Sequence, residues 1–245
     1  MGKLQNLIYK NRIFRLFEPF IPGDHHRAWT AADYARSLLA NRQGPVRVLD
    51  LGCGAGHSRD FFCSINAQCN WQGAEVEDSP ELRAAAAHSS AITFFDGVNL
   101  PWDNDSFDLV YSHQVLEHVR RPEALFGEVL RVLKPGGAMA GSVSYLEPYH
   151  SLSLFNYTPY GLITVLRDAG LHVAELRPGH DCFSVILRQM VGGSPGLSRF
   201  LRMVSPFNAA VGAAGCICGL DSKTRNFLKI QFAGHLCFLA YKKSA

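Results

Sequence analysis

Val48-Leu49-Asp50-Leu51-Gly52-Cys53-Gly54-Ala55-Gly56 is an apolar run that ends in three glycines at alternate positions. A strand that must stop, reverse tightly and bring its backbone N–H groups near a ligand needs residues without a Cβ, which take positive φ freely and permit close approach. The glycine pattern is G-x-G-x-G, and His57 stands where the dinucleotide fingerprint G-x-G-x-x-G/A wants a small residue at the helix–strand contact. This departure counts against NAD or FAD. A glycine triplet also serves as a plain chain reversal, so its meaning depends on the segments downstream.

Those downstream segments come in a definite order. After a helix-length stretch from His57 to Ala67, Trp71-Gln72-Gly73-Ala74-Glu75-Val76-Glu77 reads as a second strand ending in acid, about 20 residues past the last glycine, where a carboxylate reaches both hydroxyls of a ribose. Ala91-Ile92-Thr93-Phe94-Phe95-Asp96 is a third short strand, followed by Leu100-Pro101-Trp102 and by Asp105-Ser106-Phe107-Asp108-Leu109-Val110-Tyr111. In Leu130-Arg131-Val132-Leu133-Lys134-Pro135-Gly136-Gly137 a helix ends at Lys134, Pro135 stops it, and the two glycines turn the chain into a fifth strand.

Together these segments resemble the class I S-adenosylmethionine-dependent methyltransferases, of the methyltransferase type 11-like kind, over about residues 46 to 180. The resemblance implies S-adenosyl-L-methionine as cofactor, with Asp50, Gly52, Cys53, Gly54 and Gly56 around its methionyl part. It assigns the ribose to Glu75, whose Gly73-Ala74-Glu75 ending matches the family better than Glu77 does. Asp96 would accept from the adenine amine beside the Gly97 backbone, and Ser112 and His113 would end the fourth strand under the cofactor. The implied fold is α/β, a Rossmann-like seven-stranded, mainly parallel sheet of order 3-2-1-4-5-7-6 with the last strand antiparallel and helices on both faces. Strands are expected at about 46–51, 70–76, 91–96, 106–112, 137–145, 171–177 and 229–242.

The composition suits such an enzyme. The 245 residues are 47% hydrophobic and 18% charged, with a formal net charge of +3, and no basic tail or arginine stripe gives reason to expect nucleic acid as a partner. Seven irregularly spaced cysteines read as reduced, mostly buried thiols, and with no evident signal peptide the chain is expected to be cytoplasmic. The organisation expected is an N-terminal helical cap over 1–45, a cofactor-binding core over 46–180, a helical insertion over 181–226 and a closing strand over 227–245. In the cap, Leu4, Leu7, Ile8, Ile13, Phe14 and Phe17 recur at helical spacing among basic residues. Packing on its own domain is favoured over contact with a membrane surface. Val204 to Leu220 is uncharged but too short and too interrupted for a membrane span.

The mechanism the resemblance implies is in-line attack of an acceptor on an activated methyl group, which needs orientation and exclusion of water more than an essential base. Where the acceptor is a hydroxyl a base helps, and His113 and His118 are the catalytic candidates. A subset of the family binds a divalent metal through E-x-x-E-H at this position; here Gln114 replaces the first glutamate, so no metal is expected. Tyr145, Glu147, Tyr149, His150, Asn156 and Tyr157 form an aromatic and hydrogen-bonding loop expected to face the acceptor. That set suits a small molecule or glycan with a polar ring, such as a sugar or phenol. The alternative is a fold that binds the cofactor without catalysis, or serves as an interaction module.

Overall fold

The computed structural model describes residues 2–83, 90–148, 150–191, 196–197, 200–201 and 205–244. Its strands are β1 Val46–Leu51, β2 Cys69–Glu75, β3 Ile92–Phe94, β4 Phe107–His113, β5 Leu133–Ser144, β6 His172–Pro178 and β7 His235–Tyr241. They form one sheet in the order β3-β2-β1-β4-β5-β7-β6. Pairing is parallel except around β7, which runs antiparallel to β5 and β6. The glycine-rich segment thus connects the central strand to its crossover, at the place where the strand order reverses and ligands bind in such sheets.

Alternation along β1 explains the two helical layers. Val46 and Val48 face one core with Tyr34, Ala35 and Leu39 of α3 (Ala31–Leu39) and Phe62 of α4 (Arg59–Ile65). Leu49 and Leu51 face the other core, with Phe126 and Val129 of α6 (Pro122–Val132), Leu162 and Leu166 of α7 (Pro159–Asp168), and Phe14 and Phe17 of α2 (Arg12–Phe17). A short α5 (Pro80–Arg83) follows β2. Local caps set the helix starts: Thr30 and Asp33 form a reciprocal capping box on α3, and Thr158 accepts from Gly161 ahead of Pro159 at the first position of α7.

Several boundaries differ from expectation. The N-terminal stretch is two helices, α1 (Lys3–Lys10) and α2, because the Asn11 side chain caps the second. β5 begins at Leu133, since Leu133 pairs with Phe107 before residues 134–137 bulge out of register. Residues 229 and 230, expected in the last strand, belong to the helix Ser222–Ile230, whose start is fixed by the Asp221 side chain accepting from Thr224. The region before it holds α8 (Cys182–Met190) and the helix Pro206–Ile217. No described helix is long and apolar enough to cross a membrane. All seven cysteines are unpaired, but Cys216 and Cys218 are exposed and only Cys182 and Cys237 are buried, so the expectation of mostly buried thiols does not hold.

Candidate active site

A cleft of about 1150 Å³ opens over the carboxyl ends of the strands. At one end Gly52, Glu75, Asp96 and Gly97 line it; at the other, His113, His118, His150, His180 and His235 do.

The first end is made by backbone. Gly52 has φ +72°, and a Cβ there would lie 2.4 Å from Val115 Cγ2. Gly54, Gly56 and Gly97 also have positive φ, which any Cβ would strain. The Glu75 carboxylate, 6% exposed, holds the turn: Gly54 N–H donates to Oε2 at 2.6 Å and Val76 N–H to Oε1 at 2.9 Å. A carboxylate oxygen can accept more than one hydrogen bond, so holding the turn is compatible with accepting from a ligand in the cleft. Asp50, Cys53, Gly54, Gly56 and Ser112, all expected at the cofactor, do not line the cleft. Asp50 accepts from the Ser58 hydroxyl, and its burial, against that hydrogen bond and with Glu75 nearby, lifts its pKa to about 7. Ser112 is fully buried. Asp96 does line the cleft, but its oxygens accept from Val98 N–H at 2.9 Å, Asn99 N–H at 2.6 Å and the Asn99 amide at 2.5 Å. Asp96 therefore shapes its own loop, and those amides hold its pKa low.

The second end is made by side chains from separate segments. His113 ends β4 with Nδ1 2.7 Å from the Ser142 hydroxyl of β5. His113 is exposed to the cleft, and the protein packed around its ring, with His235, His150 and His180 adding repulsion, lowers its pKa to about 4. Gln114 follows at φ +56°, its amide between the Ser142 and Ser144 hydroxyls at 3.2 and 2.8 Å. The imidazoles run as a chain, with ring centroids 5.5 Å apart for His118 and His150, 6.4 Å for His150 and His235, and 5.9 Å for His235 and His180.

Glu147, 2% exposed, stands behind this chain. Its Oε2 faces His235 Nε2 at 2.8 Å, His150 Nδ1 at 3.1 Å and the Ser144 hydroxyl at 3.0 Å, while the Gln189 amide donates to Oε1 at 2.7 Å. Burial alone would raise the Glu147 pKa, but the hydrogen bonds from His150 and His235 outweigh it and hold the carboxyl well below its usual range. The same bond raises the pKa of His150. Glu147, His150 and His235, and likewise Glu117, His118 and His150, bring potential metal-ligand atoms within 4.8 Å of one another. Glu147 is already satisfied by four protein donors, so its geometry is that of a closed ion-pair network.

Other members of the expected acceptor loop lie elsewhere. Tyr157 is 4% exposed and donates its phenol to the Leu116 carbonyl at 3.2 Å, because its ring packs in the core. Tyr145 packs against that core as well, and Asn156 donates to the Glu147 carbonyl at 2.8 Å instead of facing the cleft. Tyr149 lies outside the described residues. Val115, His180, Arg188 and His235 line the cleft although no motif in the sequence marks them. His235 was reachable in principle: β7 runs antiparallel, so its first residue pairs with Ser144 at the carboxyl end of β5.

Residues 49–141 match the family model for the methyltransferase domain. An uncharacterised methyltransferase of Mycolicibacterium vanbaalenii is 37% identical over 132 residues, 51% of each protein, so the chain spans about half the length of that curated relative. Among solved structures, a chain from the complex of the Haloferax volcanii Trm112 methyltransferase activator with its methyltransferase superposes at TM-score 0.54 and 20% identity over 99% of both chains. The [4+2]-cyclase SpnF superposes equally well, at TM-score 0.54 and 19% identity over 96% of both. One architecture therefore hosts different reactions, and the fold alone does not name the chemistry. The ordered glycine turn and the acid that ends β2 both fall within residues 49–141, so that segment of the chain carries a methyltransferase domain.

Proposed function

We propose that the chain transfers a methyl group from S-adenosyl-L-methionine to a small-molecule or glycan acceptor by direct in-line displacement. The observation that carries this reading is one continuous cleft of about 1150 Å³ with a backbone-built end suited to an adenosyl ligand and a histidine-lined end suited to an acceptor. Glu75 offers acceptor oxygens to ribose hydroxyls. Val76, Phe95 and Val98 supply apolar surface for a base, and Gly52 and Gly97 let the backbone come close.

When bound, the cofactor supplies an electrophilic sulfonium methyl; the protein's part is to hold the acceptor in line and exclude water. His113 is exposed to the cleft, and the protein and the imidazoles around it lower its pKa, so at pH 7 it is neutral and able to take a proton. As a hydroxyl oxygen gains a methyl group its proton becomes strongly acidic, so an imidazole of low basicity suffices. His150, paired with Glu147, is pushed the opposite way and fits a positioning charge better than a base.

Calorimetric titration with S-adenosylmethionine and S-adenosylhomocysteine, with NAD as control, tests the cofactor. Release of S-adenosylhomocysteine on addition of sugars or phenols then tests turnover. Failure of the folded protein to bind either adenosyl compound would sink the proposal.

A further inference from the structure

A second cavity, of about 530 Å³, lies between the segment around His26 and the helices Pro206–Ile217 and Ser222–Ile230, lined among others by His26, Arg27, Asn208, Gly212, Arg225 and Lys229. Thr30 and His180 line both this cavity and the main cleft, so the two adjoin. Among the described residues, its wall contains no aspartate or glutamate. Lys229 is 3% exposed; it donates to the His26 carbonyl and lies 3.3 Å from His26 Nδ1. Arg225 donates to the Asp221 backbone carbonyl, at 3.4 Å. Among the described residues, no carboxylate lies within the 4.0 Å of an ion pair from Lys229, Arg225 or Arg27.

Local energetics run against this arrangement unless something else completes it. Arg225 and Lys229 are four apart on one helix, a like-charge spacing that destabilises, and burying an ammonium without a counter-charge costs still more. The facing helix makes room for both with glycines that weaken its interior. A Cβ on Gly212 would sit 3.3 Å from Lys229 Nζ and from His26 Nδ1, and one on Gly215 would sit 2.7 Å from Arg225 Cγ. Burial first, then Arg225, lowers the Lys229 pKa to about 8, as expected of a cation without its partner.

We infer that this cavity is an oxyanion subsite that takes a phosphate-class dianion carried by the acceptor, whose reacting end extends into the adjoining histidine-lined cleft. The place in the reaction rests on the methyl-transfer reading; the anion site itself does not. Arg225 provides a planar fork for two oxygens and Lys229 a point charge. Two cations with no counter-charge among the described residues are better balanced by a dianion than by a carboxylate.

The test is calorimetric titration of the full chain at pH 7 with inorganic phosphate, with acetate as the singly charged comparator and S-adenosylhomocysteine in a separate titration. Phosphate is expected to bind saturably, at least tenfold more tightly than acetate. Lys229→Met and Arg225→Met are each expected to weaken phosphate at least tenfold and leave S-adenosylhomocysteine affinity within twofold. Because Lys229 also tethers the His26 backbone, the half-buried Arg225 decides the matter if Lys229→Met does not fold. Phosphate binding that is absent, matched by acetate, or unchanged in Arg225→Met overturns the inference. Phosphate binding without S-adenosylhomocysteine binding would instead remove the methyl-transfer reading and leave the anion site standing.

Discussion

At the Gly52 and Gly97 end of the cleft close approach of the backbone sets the surface, whereas at the other end it is set by imidazoles from strand ends and connections far apart in sequence. The first end depends on what is missing, a Cβ at positive φ; the second depends on where side chains have been carried by the sheet. Substitutions should therefore act differently at the two ends, by adding atoms at one and by removing them at the other.

The largest effect is expected for Gly52→Ala, whose Cβ would lie 2.4 Å from Val115 Cγ2 at φ +72°. S-adenosylhomocysteine affinity should fall by about 100-fold, roughly 3 kcal/mol, and the added Val115→Ala change should recover part of it. Wild-type affinity in the single variant would break the contrast. His113→Ala comes next: turnover should drop on the order of 100-fold while cofactor affinity stays unchanged. A parallel loss of both would make His113 part of the cofactor surface.

Glu75→Ala should weaken S-adenosylhomocysteine binding by about 1–3 kcal/mol, through the turn it holds as well as through lost ligand contacts. Asp96→Ala should fall at or below the low end of that range, because its oxygens already serve its own loop. Titration of Glu77→Ala provides the check, and a larger loss there than in Glu75→Ala would move the ribose contact.

Acid should loosen the histidine end. His113 binds a proton near 6.5 when unfolded and only near 4 when folded, so between those values the unfolded state holds more protons and stability falls as pH falls. The Glu147 contribution persists above its ordinary value of 4.5 and is lost only as pH drops through its lower folded value. The His150 contribution is present below 6.5 and fades as pH rises through its raised folded value. Asp50, raised from 3.8 to about 7, works in the opposite direction and adds stability as pH falls below 7, so the test is the difference between variants: from pH 7 to pH 4.5 the unfolding midpoint of His113→Asn should fall less, or rise more, than that of the wild type. An unaltered slope would return His113 to an ordinary environment. The smallest effect is expected from chelation: dialysis against EDTA should leave S-adenosylhomocysteine affinity and turnover unchanged, since His150, His235, Gln189 and Ser144 already satisfy Glu147. Loss of turnover restored by a divalent cation would show that the imidazoles hold a metal.

Legibility divides along the same line. The strand–turn–acid run from Val48 to Glu75 can be read directly because its structure is local: glycine positions, strand length and an acid at a fixed distance along one chain segment. The end of the helix Ser222–Ile230 reads as strand because Ile230, which faces the core, looks the same in a short apolar window whichever element carries it. Composition assigns Tyr157 and Tyr145 to the acceptor, but their rings find more apolar surface in the core than the cleft offers.

By itself the sequence determined the glycine turn after β1 and the carboxylate at the end of β2, because these follow from backbone conformation and from spacings within a few dozen residues; the sheet order was implied by the family resemblance those segments carry. Only the tertiary structure decided which histidines meet, that Glu147 is spent on His150 and His235, and that Lys229 and Arg225 share a cavity without a counter-charge among the described residues. The physical reason is that electrostatic partnership depends on distances of a few ångströms between residues as far as 88 and 203 positions apart, and those distances exist only once the chain has folded.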